Sequence, residues 1–214
     1  MKTREILLTG AALLALSVPA FAQSQSGSTG STTPQTTTAA KPGEIQQRKE
    51  NQQDRIANGI QSGQLTAGET KNLETKEAGL NKEEKNMRAA DDGHLTAADR
   101  AKINNQQNHL SNQIYKDKHN ANTAHYGNNE VGQRRENQQD RIAQGVKSGQ
   151  LTPGETAKLE NQQQGINKEV AGMRQANGGK LTGADKKAVN QQQNQASKNI
   201  YAKKHNSKTT SAAK

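Results

Sequence analysis

This chain has no cysteine and no tryptophan, one phenylalanine, three tyrosines and four prolines in 214 residues. Without cysteine there can be no disulfide, thiolate metal site, cysteine nucleophile or lipid attachment through sulfur. The lone phenylalanine, Phe21, lies in the N-terminal segment, so from residue 23 onward the aromatics are Tyr115, Tyr126 and Tyr201. Large aliphatics are scarce too, with eight Leu, eight Ile and four Val in residues 23–214. That is well below the roughly 20% under which chains look disordered. A core built from so little must be marginal, with hydrogen bonds and helix capping carrying much of the stability.

Long apolar runs are missing as well. The one candidate, Ile6 to Val18, is too short and wrongly flanked for a membrane span. It follows the basic residues Lys2 and Arg4 and precedes Ala20-Phe21-Ala22, a small-x-small cleavage pattern. Residues 1–22 are therefore expected to be a signal peptide, making the mature chain an exported protein of the periplasm or extracellular space. It is expected to have no transmembrane segment. Residues 23–43 form a Ser/Thr/Gly/Gln tract with Pro34 and Pro42, expected to be a disordered linker.

What the chain has in quantity is polar and basic. The formal net charge is +10, and +9 once Lys2, Arg4 and Glu5 are set aside. Such a balance favours an acidic polymer or an anionic envelope surface as partner.

The rest of the sequence is a duplication. Residues 44–120 align without a gap with residues 130–206, at an offset of 86 and with more than half the positions identical. Residues 121–129 link the copies, and 207–214 make a short polar tail. Within each copy a fainter repeat recurs after 30 residues. "SGQLT" at 62–66 is followed by "DGHLT" at 92–96, and "SGQLT" at 148–152 by "GGKLT" at 178–182. Each joint carries the chemistry for ending one helix and starting another. Gly63, Gly93, Gly149 and Gly179 can take the left-handed conformation that stops a helix. Thr66, Thr96, Thr152 and Thr182 can cap the next helix, with Glu69, Asp99, Glu155 and Asp185 completing capping boxes. Pro153 falls at a first helical position, where proline is welcome.

Apolar spacing is helical. Leu73, Leu80 and Met87 are seven apart, as are Leu159, Ile166 and Met173, while Ile56 and Ile60 are four apart. Strand alternation is absent. The expected fold is all-α, two tandem three-helix units with marginal cores, occupying 44–120 and 130–206. Gly59, Gly79, Gly145, Gly165 and Gly172 fall inside predicted helices, each at a cost of about 1 kcal/mol.

Candidate sites are few. Arg48 and Arg55, repeated as Arg134 and Arg141, stand seven apart and can present a polyanion-binding face. The joints also match the second half of an EF-hand loop, which needs a glycine, an aliphatic and an acid in this order. Asp91, Asp92 and Asp99 around Gly93 make the best of the four for calcium. The first half fails, because Arg88 stands at the first-ligand position and Ala90 at the third. Tyr115/His119 and Tyr201/His205 share a four-residue spacing near expected helix ends. There a cation favours the helix dipole. No nucleophile elbow, zinc-protease motif or phosphate loop is present, so neither an enzyme nor a cofactor is expected.

The joined pattern resembles small exported bacterial proteins without assigned activity. They share a basic Gln-rich helix, "SGQLT" with an acid three residues on, "DGHLT" with another, and a closing "IY…KHN". The joints are also similar to degenerate EF-hands, which implies a calcium-responsive protein. The exported, basic, helical character and the repeated Leu-Thr resemble periplasmic helical chaperones of the CpxP and Spy kind. High glycine and extreme hydrophilicity resemble hydrophilins. The last two resemblances imply a protective protein whose partners are unfolded clients.

Overall fold

The computed structural model describes residues 43–210. The predicted signal peptide (1–22), all but the last residue of the predicted linker (23–43) and the final four residues of the polar tail lie outside the described residues. Those described form six helices and no strand, so the fold is all-α. The first copy supplies α1 (Glu44–Gln61), α2 (Ala67–Ala90) and α3 (Ala97–Lys118). The second supplies α4 (Glu130–Lys147), α5 (Pro153–Ala176) and α6 (Gly183–Lys204).

The joints set these boundaries. Gly63 and Gly149 end α1 and α4 in the left-handed region, each at φ +70, which a side chain would resist. Thr66, Thr96, Thr152 and Thr182 N-cap α2, α3, α5 and α6. In each case the acid three residues on bonds back to the threonine amide, giving a complete capping box. Caps of this kind are worth about 1 kcal/mol apiece. Pro153 occupies the first turn of α5. Asn129 caps α4, its side chain accepting from the Gly132 amide at 3.0 Å.

The copies are not two bundles set apart. The broadest helix contacts run between them, α2 on α5 and α1 on α4, while α3 packs on α1 and α2 and α6 on α4 and α5. The central apolar cluster accordingly draws on both copies. Ile56, Ile60, Leu65, Leu73 and Ile114 meet Ile142, Val146, Leu151, Leu159 and Ile200. Two smaller clusters lie away from it, one around Ile45, Leu80, Leu95 and Ile103, the other around Val131, Ile166, Val170 and Val189. By packing its copies against each other the chain makes one sizeable core from aliphatics too few for two.

Buried glutamines tie the helices together. Gln52 donates to the Gln107 carbonyl and to Ser111 Oγ, both at 2.8 Å, and Gln107 donates to the Ile45 carbonyl at 2.9 Å. The second copy repeats this with Gln138 to Gln193 O and Ser197 Oγ, and Gln193 to Val131 O. All four glutamines are buried. Each adds a bond across a helix pair to a main-chain carbonyl that already accepts its own helical N–H, using that oxygen's second lone pair.

The segments after α3 and α6 return to the first joint of their own copy. Asn120 and Asn122 donate to Glu69 Oε1 at 2.8 and 3.2 Å, and the Ala124 amide donates to Gly63 O at 2.8 Å. Asn206 donates to Glu155 Oε1 at 2.7 Å and the Thr210 amide to Gly149 O at 3.0 Å. The recurrent "KHN" thus closes each copy onto its "SGQLT" joint. Glu69 and Glu155 cap a helix with one carboxylate oxygen and hold the returning chain with the other.

Candidate polyanion interface

Arg48 and Arg55 lie along the seam between α1 and α3. Arg48 donates from both terminal nitrogens, to Asn104 Oδ1 and Asn108 Oδ1. Arg55 donates to the Ser111 carbonyl at 3.0 Å. Along the α4–α6 seam, Arg134 donates to Asn190 and Asn194, and Arg141 to the Ser197 carbonyl at 3.1 Å. All these acceptors are neutral. The ion pairs among the described residues are Lys49–Glu84, Arg88–Glu84, Lys102–Glu83 and Lys203–Glu155, and none takes one of these four arginines. The arginines therefore clamp the third helix of each copy to the first through neutral acceptors.

A lysine joins each seam. Burial, with the Arg55 charge beside it, holds the Lys118 ammonium below the usual lysine range. Burial and Arg141 do the same to Lys204. Two matching cationic faces result, Arg48/Arg55/Lys118 and Arg134/Arg141/Lys204. In each, a lysine and an arginine repel each other. An incoming anion relieves that repulsion. Sequence reading missed the lysines, which stand beyond a full helix from the arginines and meet them only through packing.

The other candidate residues have structural duties. Asp99 Oδ2 accepts from the Thr96 amide and hydroxyl, at 3.1 and 2.6 Å, which draws its pKa down. Asp91 is the C-cap of α2 and Asp92 takes φ +49 in the joint. Among the described residues no group of three or more His, Asp or Glu side chains is placed to hold a metal ion. His119 and His205 are the C-caps of α3 and α6. Each imidazole stacks on the tyrosine four residues earlier, at 4.2 Å and 4.1 Å between ring centres, and bonds through Nδ1 to that residue's carbonyl. Tyr115 and Tyr201 are exposed.

A pair of carboxyls lies inside the core. Glu74 and Glu160, equivalent positions on α2 and α5, are fully buried. Gln53 donates to Glu74 Oε2 at 3.2 Å and Gln139 to Glu160 Oε2 at 3.0 Å. Burial pushes the Glu160 carboxyl up to about 8 and raises Glu74 well above the usual range, with Glu77 and Glu160 adding repulsion at Glu74. Held neutral, this pair leaves the chain more basic than its formal charge. Its burial was not readable from the stripe, since a residue next to Leu73 or Leu159 lies about 100° round the helix from it.

No family model matches this chain, and neither a curated protein nor a solved structure matches it. Function must therefore be argued from these residues alone.

Proposed function

We propose that this chain is an exported, non-enzymatic helical repeat protein that binds acidic polymers or an anionic envelope surface through its two cationic faces. One observation carries the reading. Arg48, Arg55, Arg134 and Arg141 are fixed in place by neutral acceptors, so they are oriented yet not neutralised. A surface evolved only for solubility has no need to hold its charges in matched rows. The duplication gives two such rows in one compact unit, which favours a long or repeating anion through combined binding of both.

The test is titration of a fluorescein-labelled heparin fragment with the full chain at increasing salt. Affinity should fall steeply, each neutralised anionic group contributing roughly 0.7–0.9 to the log–log slope by analogy with nucleic acids. Lys118→Gln with Lys204→Gln should reduce that slope without loss of helix, since neither lysine is an internal clamp. Salt-independent binding, or none, defeats the reading.

A protective reading draws on a different observation, the exposure of Tyr115 and Tyr201 at equivalent helix ends. Exposed rings in an otherwise polar surface are suited to unfolded clients. If that reading holds, the chain suppresses aggregation of a heated client protein, and Tyr115→Ser with Tyr201→Ser abolishes the effect.

A further inference from the structure

The two copies differ in charge near the ends of α2 and α5. In the first copy Glu84 sits between two cations. It pairs with Lys49, and its Oε1 accepts from Arg88 Nε and Nη2 at 2.9 and 2.8 Å. At the offset of 86 the second copy keeps both cations, as Arg135 and Arg174, and replaces the acid with Val170. The joint that follows changes in the same sense. His94 becomes Lys180, Asp91 becomes Asn177 and Asp92 becomes Gly178, while Arg100 stays basic as Lys186.

These changes leave cations without acids around one cavity. A pocket of about 500 Å³ lies between the start of α4, the end of α5 and the start of α6, lined in part by Glu130, Val131, Arg174, Lys180, Leu181 and Lys186. Among the described residues Arg174, Lys180 and Lys186 enter no ion pair. Their first-copy counterparts are tied down. Arg88 is held by Glu84 and reaches the Gly93 carbonyl, and Arg100 donates to the Leu95 carbonyl. Burial, with a further push from Arg174, holds the Arg135 guanidinium below the usual arginine range. Glu130 is the one acid in the lining, and Asp185, beside Lys186 in the chain, is taken up by Thr182 and Asn177.

We infer that this pocket binds a small phosphate monoester, its phosphate against Arg174, Lys180 and Lys186 and its organic group over Val131 and Leu181. The charges favour that class. Three cations against Glu130 leave an excess of about two positive charges, matching the roughly −1.5 to −2 that a phosphate monoester carries near neutral pH. A carboxylate brings a single negative charge. A guanidinium also grips phosphate oxygens with paired nitrogens, as Arg88 already grips a carboxylate. The pocket is larger than a bare ion needs, and Val131 and Leu181 give it an apolar wall for the rest of the ester. None of Arg48, Arg55, Arg134 and Arg141 lines it, so the site stands or falls apart from polymer binding along the seams.

The experiment is calorimetric titration of the full chain with phenyl phosphate, with inorganic phosphate and benzoate as controls. Phenyl phosphate should bind saturably, one per chain, and more tightly than either control. Arg174→Gln and Lys180→His alter side chains outside the core, the second importing the first copy's residue, so both should keep the helical circular-dichroism signal. Each should weaken phenyl phosphate by about tenfold, equivalent to about 1.4 kcal/mol. Arg88→Gln, the same change in the first copy, should leave the affinity as it was. Vesicles of phosphatidylcholine with phosphatidic acid distinguish the source of the ester. Lys180→His should leave their binding unchanged if the ester is soluble and weaken it if the ester is a lipid headgroup. The inference is overturned by no saturable heat with phenyl phosphate, by benzoate binding as tightly, or by Arg88→Gln weakening the ester as much as Arg174→Gln does.

Discussion

Leu65 folds back against Gly59. Its amide donates to the Gly59 carbonyl at 2.9 Å, and its Cδ1 lies 2.6 Å from where a Cβ on that glycine would sit. Leu151 and Gly145 repeat the contact at 3.0 Å and 2.6 Å. The joint's leucine thus enters the core by crossing the last turn of the helix before it, and only glycine leaves room.

Glycines inside these helices therefore fall into two classes, and substitution should separate them. Leu65 is 1% exposed within the central cluster, so it cannot step aside. Gly59→Ala should cost up to about 2 kcal/mol, overpacking of about 1–3 kcal/mol set against a propensity gain of about 1. Gly79→Ala and Gly165→Ala meet nothing within 4 Å and should stabilise by up to about 1 kcal/mol. Urea unfolding of the three variants checks this, opposite signs being the expected result.

Glu69 couples two features that look separate in sequence. One carboxyl oxygen completes the cap of α2 and the other accepts from Asn120. Thr66→Ala should cost about 1 kcal/mol, and Asn120→Ala about 0.5–1.5 kcal/mol. The double variant should cost less than the sum, because each loss frees the shared carboxylate to move. A double-mutant cycle by thermal unfolding measures the shortfall, and strict additivity argues against the coupling.

The helices and their caps were legible because they rest on local chemistry. Gly63, Thr66 and Glu69 act within one joint, and their spacing is visible in a few residues. The packing of α2 on α5 was not legible, since both copies carry the same stripe and nothing local says which surface it meets. Nor was the role of Gln52 and Gln107, which read as polar surface until α3 lies against α1. The cationic arginines were visible, but their lysine neighbours came from the far end of another helix. Glu77 gave a faint signal, four residues after Leu73 and three before Leu80, where an apolar residue was due.

The buried glutamines should prove more costly to lose than their polarity suggests. Gln107→Leu fills a similar volume but removes the bond from Gln107 to the Ile45 carbonyl, a tie between α3 and α1. The expected loss is about 0.5–1.5 kcal/mol, against a few tenths for an exposed glutamine such as Gln47. Gln193→Leu should match it, since Gln193 holds the Val131 carbonyl in the same way. Chemical unfolding of the two variants beside Gln47→Leu makes the comparison, and equal effects at all three sites contradict the proposed bracing.

The carboxylates set opposite limits on stability with pH. Burial raises Glu74, Glu77 and Glu160, the last two to about 7 and about 8. A raised carboxyl favours the fold while protonated in both states. Its contribution is complete below the ordinary value of 4.5 and disappears as pH climbs through the folded value. Glu69, Glu155 and Glu84 are drawn down by their hydrogen bonds and ion pairs, against the cost of burial. They stabilise above the ordinary range, and that contribution is lost as pH falls through their folded values. The melting temperature should therefore peak near pH 4.5, fall as pH climbs from there through about 7 and about 8, and fall again as pH drops below 4.5. Glu160→Gln places a permanently neutral amide in the buried site. It should flatten the alkaline decline and leave the acid side unchanged. Melting curves of parent and variant across the pH range decide the matter, and parallel profiles for the two proteins would mean that the buried pair does not govern the alkaline limit.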